Sequence, residues 1–120
     1  MILKRVEKMI KEGADILDIG GEVVKDDDKY VVKDNVSLNN LVVSSTDLRP
    51  GKSTSGHAHP GQEEEYNFVK GKGKMKVDDK IFSVKEGDVI LIEDGQFHQV
   101  INNSDSNLYF VCVFDGNRSH

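Results

Sequence analysis

A single cysteine, Cys112, occurs in the 120 residues of this chain. It can close no disulfide within the chain, it leaves the cysteine-based zinc patterns without ligands, and it fits a reducing compartment best. Basic runs are missing as well. With a formal net charge of −5, the chain has nothing to draw it to nucleic acid or to an anionic membrane surface. Long apolar runs are also absent. The opening MILKRVEKMIKEG interrupts every apolar pair with charge, so it supplies neither the apolar core of a signal peptide nor a membrane span. The expectation is a cytoplasmic protein with no nucleic-acid and no membrane partner. Repeats, low-complexity segments and linkers are lacking too, and a chain of this length buries one core rather than two. A single domain over residues 1–120 is expected, as an N-terminal extension over 1–20 followed by a body over about 21–115.

What is present reads mostly as strand. Near the start, Ile2, Leu3, Val6, Met9 and Ile10 recur at helical spacing ahead of Gly13, which predicts a short amphipathic helix over about residues 3–12; an N-terminal strand is the competing reading. From Gly21 onward, short β-branched runs alternate with turn residues, and no helical pattern intervenes. That texture points to an all-β antiparallel sandwich or barrel. Asp26, Asp27 and Asp28 lie between two valine pairs and read as a solvated hairpin turn rather than a metal cluster. In the last run, Leu108, Phe110, Cys112 and Phe114 share one face and Tyr109, Val111 and Val113 the other. Both faces are apolar, so one is expected to meet the core and the other a neighbouring subunit. The polar tail is expected to fray, with His120 a bystander.

Three of the four histidines fall in two stretches, GKSTSGHAHPGQEEEYNFVKG over 51–71 and GDVILIEDGQFHQVIN over 87–102. Side chains two apart on a strand share a face, so His57 and His59 can point at one ion. Pro60-Gly61 then resets the alternation. Of the two rows that follow, Glu64, Tyr66 and Phe68 turns apolar at once, whereas Glu63, Glu65, Asn67 and Val69 stays mostly polar. The first row is expected to point inward, which makes Glu64 the carboxylate ligand and leaves Glu63 and Glu65 in solvent. His98 shares a row with Val100 and Asn102 on a strand entered through Asp94-Gly95. It reads either as a further ligand or as a buried neutral ring satisfied by a backbone carbonyl. Three imidazoles and one carboxylate leave about two positions open on an octahedral ion, the arrangement that suits a reacting site rather than a closed structural zinc. Because the ligands bind deprotonated, affinity for the ion should fall as pH drops through the histidine range.

At these residues the chain resembles the cupin superfamily, and within it the small single-domain metal-binding proteins of cupin 2 type. The first family motif, G-x5-H-x-H-x4-E-x6-G, is met by Gly51, His57, His59, Glu64 and Gly71. The second, G-x5-P-x-G-x2-H-x3-N, is met by Gly87, Gly95, His98 and Asn102, with Glu93 in place of the proline. That departure is expected to loosen a turn without removing a ligand. The resemblance implies a jelly-roll β-barrel and the metal ligands His57, His59, Glu64 and His98. It further implies a divalent ion such as Mn, Fe, Zn or Ni, and a tendency to form homodimers.

Cupin chemistry is diverse, so three functional expectations stand. The first is a metal-dependent isomerase or epimerase of a sugar or sugar phosphate. There the ion acts as a Lewis acid and Glu64 or Tyr66 moves the proton; Tyr66 also reads as barrel packing. The second is a non-haem iron dioxygenase, with Cys112 read as a small core residue. The third is a non-catalytic module that holds a small molecule.

Overall fold

The computed structural model describes residues 15–116. Nine strands follow in order: β1 (Glu22–Asp26), β2 (Tyr30–Asn35), β3 (Leu41–Leu48), β4 (Glu64–Lys70), β5 (Lys72–Val77), β6 (Lys80–Lys85), β7 (Val89–Ile92), β8 (His98–Ile101) and β9 (Leu108–Asp115). No α-helix occurs among the described residues. The segment expected as a helix over 3–12 lies outside them, as does His120.

The strands form a six-stranded sheet in the order β1-β2-β3-β9-β4-β7 and a three-stranded sheet in the order β6-β5-β8. Every pairing is antiparallel. This is the all-β antiparallel architecture that the turn-punctuated strand pattern predicted, in the jelly-roll form that the family resemblance implied. Gly71 alone separates β4 from β5, and there the chain passes from the larger sheet to the smaller. Its φ is +88°, and a Cβ would stand 2.5 Å from the Asn107 carbonyl oxygen, so no other residue fits the crossing. Residues 53–57 add an irregular fourth edge to the smaller sheet through bridges from Ser53 to Ile101 and from His57 to His98.

Alternation sets what faces inward. On β2, Tyr30, Val32 and Asp34 are buried; on β4 the row is Glu64, Tyr66 and Phe68. Leu48, Phe68, Leu108 and Phe110 of the larger sheet meet Met75, Val84 and Val100 of the smaller, none more than 2% exposed. Apolar burial of this kind supplies most of the driving force for closing the two sheets. Asp26 ends β1, and Asp27 Oδ1 accepts the backbone N–H groups of Lys29 and Tyr30 at 2.8 and 3.1 Å. The aspartate run is therefore a turn, as its setting predicted. On β9, Leu108, Phe110, Cys112 and Phe114 point into the core. Val111 on the opposite face is only 3% exposed, because Ile16, Ile19 and Val43 line the same cleft. Part of that second apolar face is thus covered by the chain itself.

Candidate metal centre

Three turns bring the histidines together, each closed by a glycine that takes the φ other residues avoid. The Arg49–Lys52 turn is closed by Lys52 N–H on the Arg49 carbonyl at 3.2 Å, with Pro50 and then Gly51 at φ +73°. In the His59–Gln62 turn, Gln62 N–H donates to the His59 carbonyl at 3.1 Å, with Pro60 and then Gly61 at +83°. Both have the proline and glycine placement of type II turns. The Glu93–Gln96 turn is closed by Gln96 N–H on the Glu93 carbonyl at 3.1 Å, with Gly95 at +76°. Asp94 ties the last two together, its Oδ1 accepting Gly61 N–H at 2.6 Å. The two histidine stretches are therefore fastened to each other at their turns.

Glu93 does not loosen its turn, contrary to expectation. Its backbone N–H donates to Gln96 Oε1 at 2.9 Å, a bond that proline at this position lacks the hydrogen to make. Gln96 Nε2 and Phe97 N–H in turn reach the Asp78 carboxylate at 3.2 and 3.1 Å. A side-chain clamp replaces the rigid ring.

His57 and His98 are paired directly across two strands, exchanging backbone hydrogen bonds of 3.2 and 3.0 Å. Residues opposite one another in such a pair place their side chains on the same face. Their rings accordingly stack at 5.5 Å between centroids, and His59 lies 4.8 Å from His57 and 5.9 Å from His98. Glu64, first residue of β4, closes the group from the larger sheet, with Oε1 3.1 Å from His98 Nε2. The ligand atoms of His59, Glu64 and His98 all lie within 4.8 Å of one another. Donors about 2.1 Å from one ion stand roughly 3 Å apart when adjacent and roughly 4.2 Å apart when opposite, so a slight contraction suffices. His57 stands outside this tight trio, with its ring beside it.

The orientation of the rings favours a cation. His98 Nδ1 lies 3.0 Å from the Gln96 carbonyl, and His57 Nδ1 2.9 Å from the Ser55 carbonyl. A carbonyl only accepts, so each Nδ1 carries the hydrogen and each Nε2 of the neutral ring presents a lone pair. For His98 the backbone-carbonyl reading is met at Nδ1, and Nε2 is left for the other. Its Nε2 is buried and makes no hydrogen bond among the described residues. Although Glu64 Oε1 is near enough for an ion pair, the two atoms are not aligned for hydrogen bonding. Two buried lone-pair donors in such proximity fit a shared metal ion, and the carbonyls behind the rings are the outer contacts that fix metal-binding tautomers. Asn102 is no ligand. Fully buried, it ends β8 by donating through Nδ2 to the carbonyls of Leu48, Arg49 and Ser106 at 2.9, 3.1 and 2.9 Å.

A cavity of about 380 Å³ opens beside the group, with His57 and Glu64 in its wall. That size suits a small molecule. Tyr66 lines it and meets the His98 ring edge-on at 5.8 Å. Cys112, Phe110 and Phe114 give an apolar side, while Ser44, Thr46 and Thr54 bring hydroxyls and exposed Lys25 brings a charge. Sequence reasoning missed Ser44 and Thr46. Their signal lay in the alternation of β3, where they share the inward row of Val42 and Leu48 and interrupt it with hydroxyls.

A family model described as Cupin domain matches residues 44–114. The oxalate-binding protein of Thermotoga maritima is 33% identical over 66 residues, covering 55% of this chain and 54% of that protein. The chain spans about half the length of the curated relatives it matches. Among solved structures, a Klebsiella pneumoniae protein with a double-stranded β-helix domain superposes with a TM-score of 0.72. It is 20% identical, over 82% of this chain and 86% of that one. A predicted oxalate decarboxylase from Thermotoga maritima gives a TM-score of 0.67 at 25% identity, over 72% and 79% of the two chains.

Proposed function

This chain belongs to the cupin domain family, and from that premise we propose that it is a divalent-metal protein acting on a small oxygen-rich molecule held in the barrel cavity. The observation that carries this reading is the convergence of His59, Glu64 and His98, with His57 beside them, next to a cavity of small-molecule size whose wall His57 and Glu64 share. In this reading all four residues hold the ion, as three imidazoles and one carboxylate. When bound, the ion supplies Lewis-acid polarisation to a carbonyl or carboxylate oxygen. Mn, Fe, Zn and Ni all suit such a nitrogen and oxygen donor set.

The residues around the cavity divide the remaining tasks. The apolar side formed by Phe110 and Phe114 excludes water and strengthens polar contacts inside. Tyr66 and Glu64 stand on one inward row and are the groups placed to hold or move a proton at a carbon next to a carbonyl. The chemistry proposed is isomerisation or epimerisation of a small hydroxy-carbonyl compound, of which sugars and sugar phosphates are the common kind. A second reading, binding without turnover, is favoured by the name of the Thermotoga maritima relative, an oxalate-binding protein. The expected homodimer belongs to the same proposal, with exposed Val89 and Leu91 of β7 as apolar edge available to a second copy.

Deuterium exchange from solvent into a panel of hydroxy-ketones and sugar phosphates, followed by NMR on Mn(II)-loaded protein, tests the proposal. Exchange that disappears in His98→Ala supports isomerisation. Oxalate binding with no exchange across the panel supports the binding reading. Oxygen consumption with thiols, diketones or phenols, above a buffer control, contradicts both and points to a dioxygenase.

A further inference from the structure

One cross-strand row of the larger sheet carries a buried polar pair that the metal group does not use. The registers place Asp34 of β2 opposite Ser44 of β3, Ser44 opposite Cys112 of β9, and Cys112 opposite Tyr66 of β4. With strands about 4.8 Å apart, Ser44 stands roughly 10 Å across the sheet from Tyr66, two strands from the row that carries Glu64. Ser44 is 4% exposed and Asp34 9%. The Ser44 hydroxyl donates to Asp34 Oδ1 at 2.7 Å. Ser44 lines the cavity, and Asp34 lies behind it.

A buried carboxylate is an acceptor, so the single hydroxyl hydrogen of Ser44 is committed to Asp34. What Ser44 then offers the cavity is oxygen lone pairs. We propose that Ser44, oriented by Asp34, selects the far end of the bound molecule. It would accept a hydrogen bond from a hydroxyl there and reject a second carboxylate. This inference rests on the metal-and-cavity reading above and narrows its substrate class. The molecule chelates through a carbonyl or carboxylate at one end and carries a hydroxyl at the other, as a sugar acid or hydroxy-ketone does. A plain dicarboxylate would face two acceptors, and in a low-dielectric wall an unpaired or repelled polar group is costly. Replacing Asp34 with asparagine should relax this selection, because the amide NH2 can donate to the Ser44 oxygen and leave the hydroxyl hydrogen able to point into the cavity.

The test is calorimetric titration of Mn(II)-loaded protein with oxalate, with linear aldonic acids of three to six carbons, and with dicarboxylates of matched length. At one length or more, the aldonate should bind about tenfold more tightly than its dicarboxylate, the worth of one hydrogen bond. Ser44→Ala should abolish that ratio, Ser44→Thr should keep it, and Asp34→Asn should move it towards the dicarboxylates. Metal content and thermal midpoint of each variant establish that it is folded and loaded. The proposal is overturned if Ser44→Ala preserves the wild-type ratio, or if no length distinguishes the two series while oxalate binds. Failure of every ligand, oxalate included, on metal-loaded protein overturns the cavity reading itself and this inference with it.

Discussion

Asn102 illustrates how a motif residue can matter without touching chemistry. Its amide nitrogen serves three carbonyls, and its oxygen accepts both the N–H and the hydroxyl of Ser104 at 3.0 and 2.7 Å. Asn102→Asp turns that nitrogen into an acceptor facing acceptors. Leaving buried groups unpaired costs on the order of 3 kcal/mol here, read as a lower urea midpoint with an unchanged slope. Tyr109 gives a second prediction at this scale. Burial pushes its phenol above the ordinary tyrosine value, opposed by the Ser45 hydroxyl and reinforced by Asp18 and Asp47. A raised folded-state value means that stability is fully present below about pH 10, the unfolded tyrosine value, and is lost as pH rises through the folded one. Thermal midpoints followed from pH 8 to 11 should fall more steeply for the wild type than for Tyr109→Phe. Parity made Glu64 legible in the sequence, since a residue at one end of a row that becomes Tyr66 and Phe68 has to point inward. Asp34 was not legible. Nothing in the run YVVKDN says that its carboxylate meets a serine ten residues on; only the β2–β3 register does.

Turns are the elements on which the site depends. Sequence alone identified the glycines, because Pro-Gly and Asp-Gly pairs announce left-handed backbone. It did not reveal that Asp94 of one turn would hold Gly61 of the other, nor that Gln96 would clamp the turn where the family carries proline. Such contacts depend on three-dimensional proximity that local spacing does not encode. Gln96 also supplies the carbonyl behind His98 Nδ1, so the clamp and the ligand are coupled through two atoms of one residue. Gln96→Ala should weaken metal affinity by about tenfold, the low end for loss of an outer-sphere support, with the fold retained by circular dichroism. Unchanged affinity would mean that the backbone holds His98 without help from the side chain. Gly56 adds a steric limit. A Cβ there would stand 2.0 Å from the Phe97 ring, so Gly56→Ala must shift the segments next to His57 and His98 and should lower affinity as well.

Across the whole molecule, short strands with regular breaks were enough to give an antiparallel sandwich or barrel, because alternation and turn chemistry agree along most of the chain, and the two family motifs selected the barrel. The pairing order was less accessible, since it depends on contacts between residues far apart in sequence, such as β3 with β9. The metal group sits where the two sheets meet. His57 and His98 come from the smaller sheet and its added edge, and Glu64 from the larger. An ion there should therefore fasten the barrel as well as serve the cavity. At a hundredfold excess over its dissociation constant, a ligand of the folded state stabilises by about 2.7 kcal/mol. The thermal midpoint should rise with Mn(II), by something on the order of 10 °C, and return when the ion is chelated.

The most direct measurement is metal content per folded chain, determined after Mn(II) loading and desalting, for the wild type beside His98→Ala and Glu64→Gln. The account predicts one ion per wild-type chain and less than about a tenth of that in either variant, since His98→Ala removes a donor and Glu64→Gln the charge of the carboxylate from a site of three or four. Equal metal in all three proteins, or none in the wild type, would contradict it.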